Sequence, residues 1–502
     1  MIKHASRPLL LCTVATLSFL GLVLFAAAGL RGSDQYWYTA EVERILAGAI
    51  NQGTVAFPYH AHHQLLPPPF NHHTLVHYAV AAVALFTGPY YGWIVVNTLA
   101  TLLTAFLVYQ LVKRSSGSLP AAYAYTLMLL LPLPFWVTAQ PYLESALAPF
   151  IAGGLLLYVA GRNAASTWIG LFLLFAAAYM CRSAFIAVLF LVPLGCLYHL
   201  RDRGKGAVLL AALLGLGGIA AVKAYRLMFA PDPALTFRRY LNAKVPGVSG
   251  NMDVLYALQD EPIELWKLLR KAQAGVVEQV LVEPLSANLF YLPFNLALLL
   301  TLWLLLRRRR EVSTRLVVGL LVCIGLHGAT IVLRGNEFRF LHVVQPAVVA
   351  GAAIALAQLL RDRAWTFLSA ATLAALVISS SYLAFSLRSE AKEQKQVQVA
   401  VGEIFDQLVP KDHAIMLGTP GFAERDLLFG YIVRPRLVLF MRSEYGYTTE
   451  QIEVMRSNAN AKWLFAKRNS PLVDELAQKP WELVTDSFPK PFAAYGLYRL
   501  PS

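Results

Sequence analysis

Cysteine is almost missing from this chain: there are four, Cys12, Cys181, Cys196 and Cys323, and each lies inside an apolar segment. No loop and no polar tail can then hold a disulfide or a thiolate metal site, so any domain outside the apolar blocks must stand by packing alone. Charge is also scarce, at 14% of residues, with 29 acidic side chains against 43 basic ones. Alternating or helically striped apolar patterning is rare outside the last quarter. Apolar residues make up 57% of the chain and fall in long uninterrupted blocks, which is the composition of a chain solvated by lipid rather than by water. No His-Glu-x-x-His pair occurs, and Gly215-Leu216-Gly217-Gly218 sits within an apolar block, where small residues allow close helix packing and do not make a nucleotide loop.

The blocks that are present have the length of membrane spans. Leu9 to Leu30, Tyr91 to Val112, Leu289 to Leu306 and Leu316 to Leu333 can each cross about 30 Å of hydrocarbon at about 1.5 Å per residue. A net charge of +14 in a soluble protein would point to nucleic acid. Here the basic residues are short clusters between the blocks: Lys3 and Arg7, Lys113 and Arg114, Arg162, then Arg201, Arg203 and Lys205, Arg307 to Arg310, and Arg361 with Arg363. Such placement marks cytoplasmic turns and excludes a polynucleotide patch. The first block ends in Ala26-Ala27-Ala28, but its apolar core is too long for a cleavable signal peptide.

These features predict an α-helical polytopic membrane protein of about eleven transmembrane helices, with a cytoplasmic N-terminus, in a bacterial inner membrane. A helical module over 1–387 contains a large first periplasmic loop at 31–90 and a second large one at 230–287. The apolar run Thr74 to Phe86 is short for a span and reads as a helix lying in the membrane interface. Spans follow at Tyr91 to Val112, Leu119 to Val137, Leu143 to Ala160, as a pair from Trp168 to Leu200, and from Ala207 to Phe229. Four more end near Leu306, Leu333, Leu360 and Leu387. Residues 388–502 then read as a periplasmic α/β domain: a polar helix to Leu408, strands at Ala414 to Leu417, Leu437 to Phe440 and Trp463 to Ala466, and two alternating runs, Trp481 to Phe488 and Ala493 to Leu500, that should pair. Helix-start signals at Thr449-Glu450 and Ser470-Pro471 separate them. This domain shows no convergent acid-base set, so acceptor recognition or stability is its expected role.

Chemistry is best sought where the first span emerges. Asp34 in Gly32-Ser33-Asp34-Gln35-Tyr36-Trp37-Tyr38 is placed to be partly desolvated yet within reach of a water-borne substrate, the setting a general base needs. Spacing alone favours a helix cap, since Ser-Asp before a helical run is an ordinary start signal. Glu144 begins a later span after Gln140-Pro141-Tyr142-Leu143; it is either an acceptor-orienting acid or simply an acid favoured by the helix dipole. Six histidines, His60, His62, His63, His72, His73 and His77, crowd the first loop. At that density neutral imidazoles, His72 and His73 foremost, can bind a divalent metal or can rest on lipid headgroups.

Asp34-Gln35-Tyr36-Trp37-Tyr38, with the helix ending Ile45-Leu46-Ala47-Gly48, resembles the Asp-Glu-x-x-Tyr first-loop motif of the integral-membrane glycosyltransferases of the C superfamily (GT-C). The branch it is most similar to is that of protein O-mannosyltransferases and lipid A aminoarabinose transferases. Pro67-Pro68-Pro69-Phe70-Asn71-His72-His73 resembles that branch's proline-rich turn, Asn97 to Arg114 its second transmembrane helix, and Phe338-Arg339-Phe340-Leu341-His342 to Pro346 its Arg-Tyr-Leu stretch. The second acidic position of the motif is Gln35 here, which removes one carboxylate of a metal-binding pair. The resemblance implies a polyprenyl-phosphate sugar donor, an inverting transfer, and a glycan, lipid or protein acceptor. Asp34 would then be the base, Arg339, Arg182 and Lys244 candidates for the donor phosphate, and Glu144 and Tyr38 candidates for the acceptor or second acidic position. Both Asp34 and Arg339 fall at periplasmic ends of spans, so they are expected to meet around one interfacial site. From the residues alone, Arg182 can equally be a snorkelling or ion-paired residue, and Lys244 a solvated loop charge. The rival reading is a transporter or flippase of a polyprenyl-linked glycan, which should carry ionisable residues near mid-membrane and an internal repeat. Neither is visible in the sequence.

Overall fold

Runs of Leu, Ala, Val and Phe without a helix breaker leave the backbone one way to satisfy its hydrogen bonds in hydrocarbon, the α-helix. The computed structural model describes residues 2–48, 59–60, 75–161, 166–171, 173–174, 290–307, 312–334, 338–360, 362–419, 424–434, 436–442, 449–468 and 481–499. Its helical module contains α1 (Ile2–Ala26), α2 (Ser33–Leu46), α3 (Leu75–Thr87), α4 (Pro89–Ser116), α5 (Ser118–Leu130), α6 (Pro132–Thr138), α7 (Leu143–Ala160), α8 (Tyr291–Arg307), α9 (Thr314–Arg334), α10 (Phe338–Leu359) and α11 (Asp362–Leu408). Among the described residues five helices are long and apolar enough to cross a membrane, and a bent pair makes up to six. Of the pair of spans expected from Trp168 to Leu200, residues 175–200 lie outside the described residues, as do the span expected from Ala207 to Phe229 and the second large loop.

Two expectations are corrected. The single span from Leu119 to Val137 is a pair, α5 and α6, bent by 50°. Pro132 stands at the first position of α6, and proline can open a helix but not continue one through its missing N–H. The span expected to end near Leu387 and the polar helix expected from there to Leu408 are one element: α11 runs 47 residues, from the bilayer into the C-terminal domain. Ala384, Leu387, Ala391, Val401 and Phe405 are all buried along it, spaced to form one continuous stripe. Arg388, at the junction of the two, donates to the Phe25 carbonyl at the end of α1 (2.9 Å) and lies over the Phe25 ring.

The C-terminal domain contains β2 (Ala414–Thr419), α12 (Glu424–Ile432), β3 (Val438–Arg442), α13 (Thr449–Asn458), β4 (Ala461–Lys467), β5 (Glu482–Thr485) and β6 (Tyr495–Arg499). Its sheet has the order β1-β3-β2-β4-β6-β5, where β1 is Tyr59–His60 of the first loop, paired parallel to β3. Strands β2, β3 and β4 are mutually parallel, and β5 and β6 form an antiparallel pair at the far edge. Period-2 alternation sends Ile415, Leu417, Trp463 and Phe465 to a core shared with α11 and α12. The intervening Met416, Leu464 and Ala466 face the opposite core with Ile452 of α13. The C-terminal end of α11 is closed by buried Arg436, which donates to the carbonyls of Phe405 and Val409 and to Asp406 at 2.9 Å. A guanidinium there meets the negative end of the helix dipole.

Candidate functional site

Three helix starts meet at one place. Asp34, Glu144 and Arg339 occupy the first turns of α2, α7 and α10. The Arg339 guanidinium is ion-paired and hydrogen-bonded to Asp34 and has Nε 3.9 Å from Glu144 Oε1. A cation at the positive end of a helix is unfavourable by itself. The two carboxylates offset it, and the same three dipoles favour any further anion arriving there. Asp34 and Arg339 side chains keep 23% and 18% exposure and Glu144 only 5%. The first two can therefore reach a ligand, while Glu144 stands behind them.

Asp34 does not cap α2. Gly32 holds the N-cap position, and its backbone makes no room for a side chain: an added Cβ would lie 3.3 Å from Gln35 Nε2 and 3.5 Å from the Tyr142 hydroxyl. Closure at the other end comes from Gly48, at φ 78°, whose N–H returns to the Ile45 carbonyl.

The turn between α6 and α7 forms the floor. Asn97 of α4 donates to the carbonyls of Gln140 (2.8 Å) and Tyr142 (3.0 Å). Gln140 in turn is hydrogen-bonded to the Gln35 side chain and donates to the Trp136 carbonyl. Tyr142 stacks on Trp136 at 4.9 Å and presents its ring to Arg339 at 5.6 Å. Burial pushes its hydroxyl well above the usual phenol range, opposed by the Arg339 charge, so it stays a neutral donor. Arg31 is buried against the same turn, donates to the Ala139 carbonyl at 2.9 Å, and donates its backbone N–H to Gln35 Oε1 at 3.0 Å. Gln35, standing where the motif has an acid, thus serves as a bracket between α2 and the turn.

Sequence reasoning brought Asp34, Glu144 and Arg339 forward and missed Tyr142, Gln140, Asn97 and Arg31. The usable signals were Gln140-Pro141-Tyr142 beside Glu144 and a lone Asn in an apolar span. Tyr38 points to a different cluster, its ring 5.8 Å from both His77 and Trp93. Arg182, Lys244, His72 and His73 lie outside the described residues. Among the described residues no three His, Cys, Asp or Glu side chains group to hold a metal, and Arg339 already lies between the two carboxylates.

No protein-family model matches the chain and no curated sequence matches it. Solved structures do match it, among them two of ArnT. One is the crystal structure of ArnT from Cupriavidus metallidurans in the apo state, with TM-score 0.58 and 13% identity over 99% of this chain and 98% of that one. The other is ArnT from the same organism bound to undecaprenyl phosphate, with TM-score 0.56 and 12% identity over 98% and 97%. ArnT is the lipid A aminoarabinose transferase of the C superfamily, the branch that the first-loop motif resembles. With sequence that has drifted this far and an architecture matched from end to end, the chain is built on the fold of ArnT.

Proposed function

We propose that the protein is an inverting glycosyltransferase that moves a sugar from a polyprenyl-phosphate donor to a glycan, lipid or protein acceptor at the periplasmic face of a bacterial inner membrane. The observation that carries this reading is the meeting of Asp34, Glu144 and Arg339 at three helix starts. ArnT, whose fold the chain has, binds undecaprenyl phosphate. The basic clusters between spans support a cytoplasmic N-terminus and a periplasmic C-terminal domain.

The chemistry follows from charge. The acceptor's nucleophilic atom attacks the anomeric carbon from the face opposite the phosphate, and the bond from that carbon to the phosphate oxygen breaks with its electron pair leaving on oxygen. A proton must leave the acceptor as the new bond forms, and Asp34 takes it. Arg339 neutralises the departing phosphate by a charge-assisted hydrogen bond. Drawing the Arg339 guanidinium toward the phosphate also loosens its hold on Asp34, so donor binding exposes the base. Glu144 keeps Arg339 aligned from behind. A transporter or flippase would place charge within the spans, whereas these three residues gather at helix starts.

The test is transfer from a panel of undecaprenyl-phosphate monosaccharides by purified protein, with binding of undecaprenyl phosphate measured separately. Asp34→Asn should lower transfer by roughly two to four orders of magnitude, the scale of general-base loss, while binding persists. Near-normal transfer by that variant would leave the base unidentified, and a wild type that uses no member of the panel would sink the lipid-linked-donor reading.

A further inference from the structure

The helix that carries Asp34 has two working faces. At about 100° per residue, Asp34, Tyr38, Val42 and Ile45 fall on one side of α2, and Tyr36 and Glu43 lie about 180° away. The first face packs on the helical module, where Val42 and Ile45 join Val80, Trp93 and Leu147. The second is taken up by the C-terminal domain. Tyr36 is 1% exposed and belongs, with Leu30, to the same core as Val401, Phe405, Phe429 and Phe465. Its ring meets Tyr431 at 5.0 Å, and its hydroxyl accepts from Gln398 of α11 at 3.2 Å. Two turns along, Glu43 is ion-paired to Arg434, whose guanidinium lies 3.6 Å from the centre of the Tyr431 ring. Burial lowers the Arg434 pKa to about 10, so its guanidinium stays charged at neutral pH. Further along the same loop, β1 adds to the sheet edge beside β3.

From these contacts we infer that Tyr36 and Glu43 are positioning residues for the transfer step: the C-terminal domain grips α2 from behind and so holds Asp34 in register with Arg339 and the acceptor. The inference rests on the proposed role of Asp34. Without the grip α2 is held on one face only, and a carboxylate displaced by about 1 Å from its productive place loses much of its effect. Donor binding, which uses Arg339 on α10, is not weakened by that displacement, since moving Asp34 away only frees the guanidinium for the phosphate.

The experiment uses the full-length protein, the panel and undecaprenyl phosphate. Tyr36→Ala should lower the maximal transfer rate at least tenfold with no loss of undecaprenyl phosphate affinity, and Tyr36→Phe, which keeps the buried ring, should restore most of the rate. Glu43→Arg should impair transfer, and Glu43→Arg combined with Arg434→Glu should recover it. In the Asp34→Asn background Tyr36→Ala should cost nothing further, because a residue acting through Asp34 has nothing left to position. A fresh tenfold loss in that background, a parallel loss of lipid affinity, or no recovery by the charge swap would overturn the proposal. An active Asp34→Asn would instead overturn the assignment of the base, so the two failures are distinguishable.

Discussion

Both halves of the molecule have apolar interiors, but only the helical module is also apolar outside and threads polar side chains through its core. In the helical module Leu24, Phe86 and Phe367 point outward at 73%, 90% and 78% exposure. Its interior meanwhile holds Asn97, Thr101, Thr138, Ser145 and Gln345, all buried. Thr101 and Thr138 are joined at 2.7 Å, and Thr138 is bonded onward to the Pro134 carbonyl. In the C-terminal domain the inside is an aromatic stack, Phe465 lying 4.4 Å from Phe429 and 5.0 Å from Tyr495. Arg436 is the one buried charged side chain among that domain's described residues. The difference teaches that hydrophobicity drives assembly in one half only. Lipid gives apolar side chains no reason to hide, so the helices are held by close backbone approach and by polar groups that have no other partner.

Phe465→Ala should have the largest effect on stability, about 3–5 kcal/mol, because it empties the centre of a packed core. Denaturant unfolding followed by fluorescence of Trp463, its neighbour on β4, would report it. A cost under about 1 kcal/mol would show that the domain is not held by that stack. Arg339→Ala belongs to the other half and should leave folding in place while weakening undecaprenyl phosphate binding by roughly 1.5–3 kcal/mol, the scale of a hydrogen bond to a charged group. Unchanged lipid affinity, read by calorimetry, would remove Arg339 from the phosphate site. Gly351→Val probes helix packing directly: a Cβ there would collide with the Thr301 side chain. Separation of α8 from α10 should cost about 1–3 kcal/mol, as overpacking does, seen as a lower melting temperature in detergent with the C-terminal transition unmoved. The smallest effect is expected for Arg499→Ala at the outer edge of the sheet, where the pair with Glu482 is 3.8 Å long and more than half exposed on both sides. Such pairs are worth under about 1 kcal/mol, and a larger loss would mean that this edge is covered in the membrane.

Much of this architecture is legible in sequence because local rules and burial agree. The strands expected near Ala414, Leu437 and Trp463 are β2, β3 and β4, since short apolar runs between helix starts have one use in an α/β domain. The bend before Pro132 was also written in the sequence, as a proline inside an apolar run, but length dominated the reading of that segment. The continuity of α11 was obscured by composition. Its residues become polar where it leaves the bilayer, and a change of solvent imitates a change of structure. At the site, Asp34 and Arg339 are 305 residues apart, and no spacing rule joins them; only their shared place at helix starts does. Tyr36 escaped notice for a geometric reason. In a motif read as a string it is two places from Asp34, and on the helix it is on the far side.

The unbroken length of α11 has a consequence for how the chain can vary. Each residue inserted between Arg388 and Gln398 would raise the C-terminal domain by about 1.5 Å and turn it by about 100°. Adding about seven would restore its facing but lift it by roughly 10 Å, pulling Gln398 and Tyr431 off Tyr36 and Arg434 off Glu43. Most of this stretch is exposed and polar, so apart from Arg388 and the buried Ala391 its composition is free to drift. Its residue count is not: the segment is a ruler between the bilayer and the sheet, and the loss or gain of even one residue there would be read at Asp34.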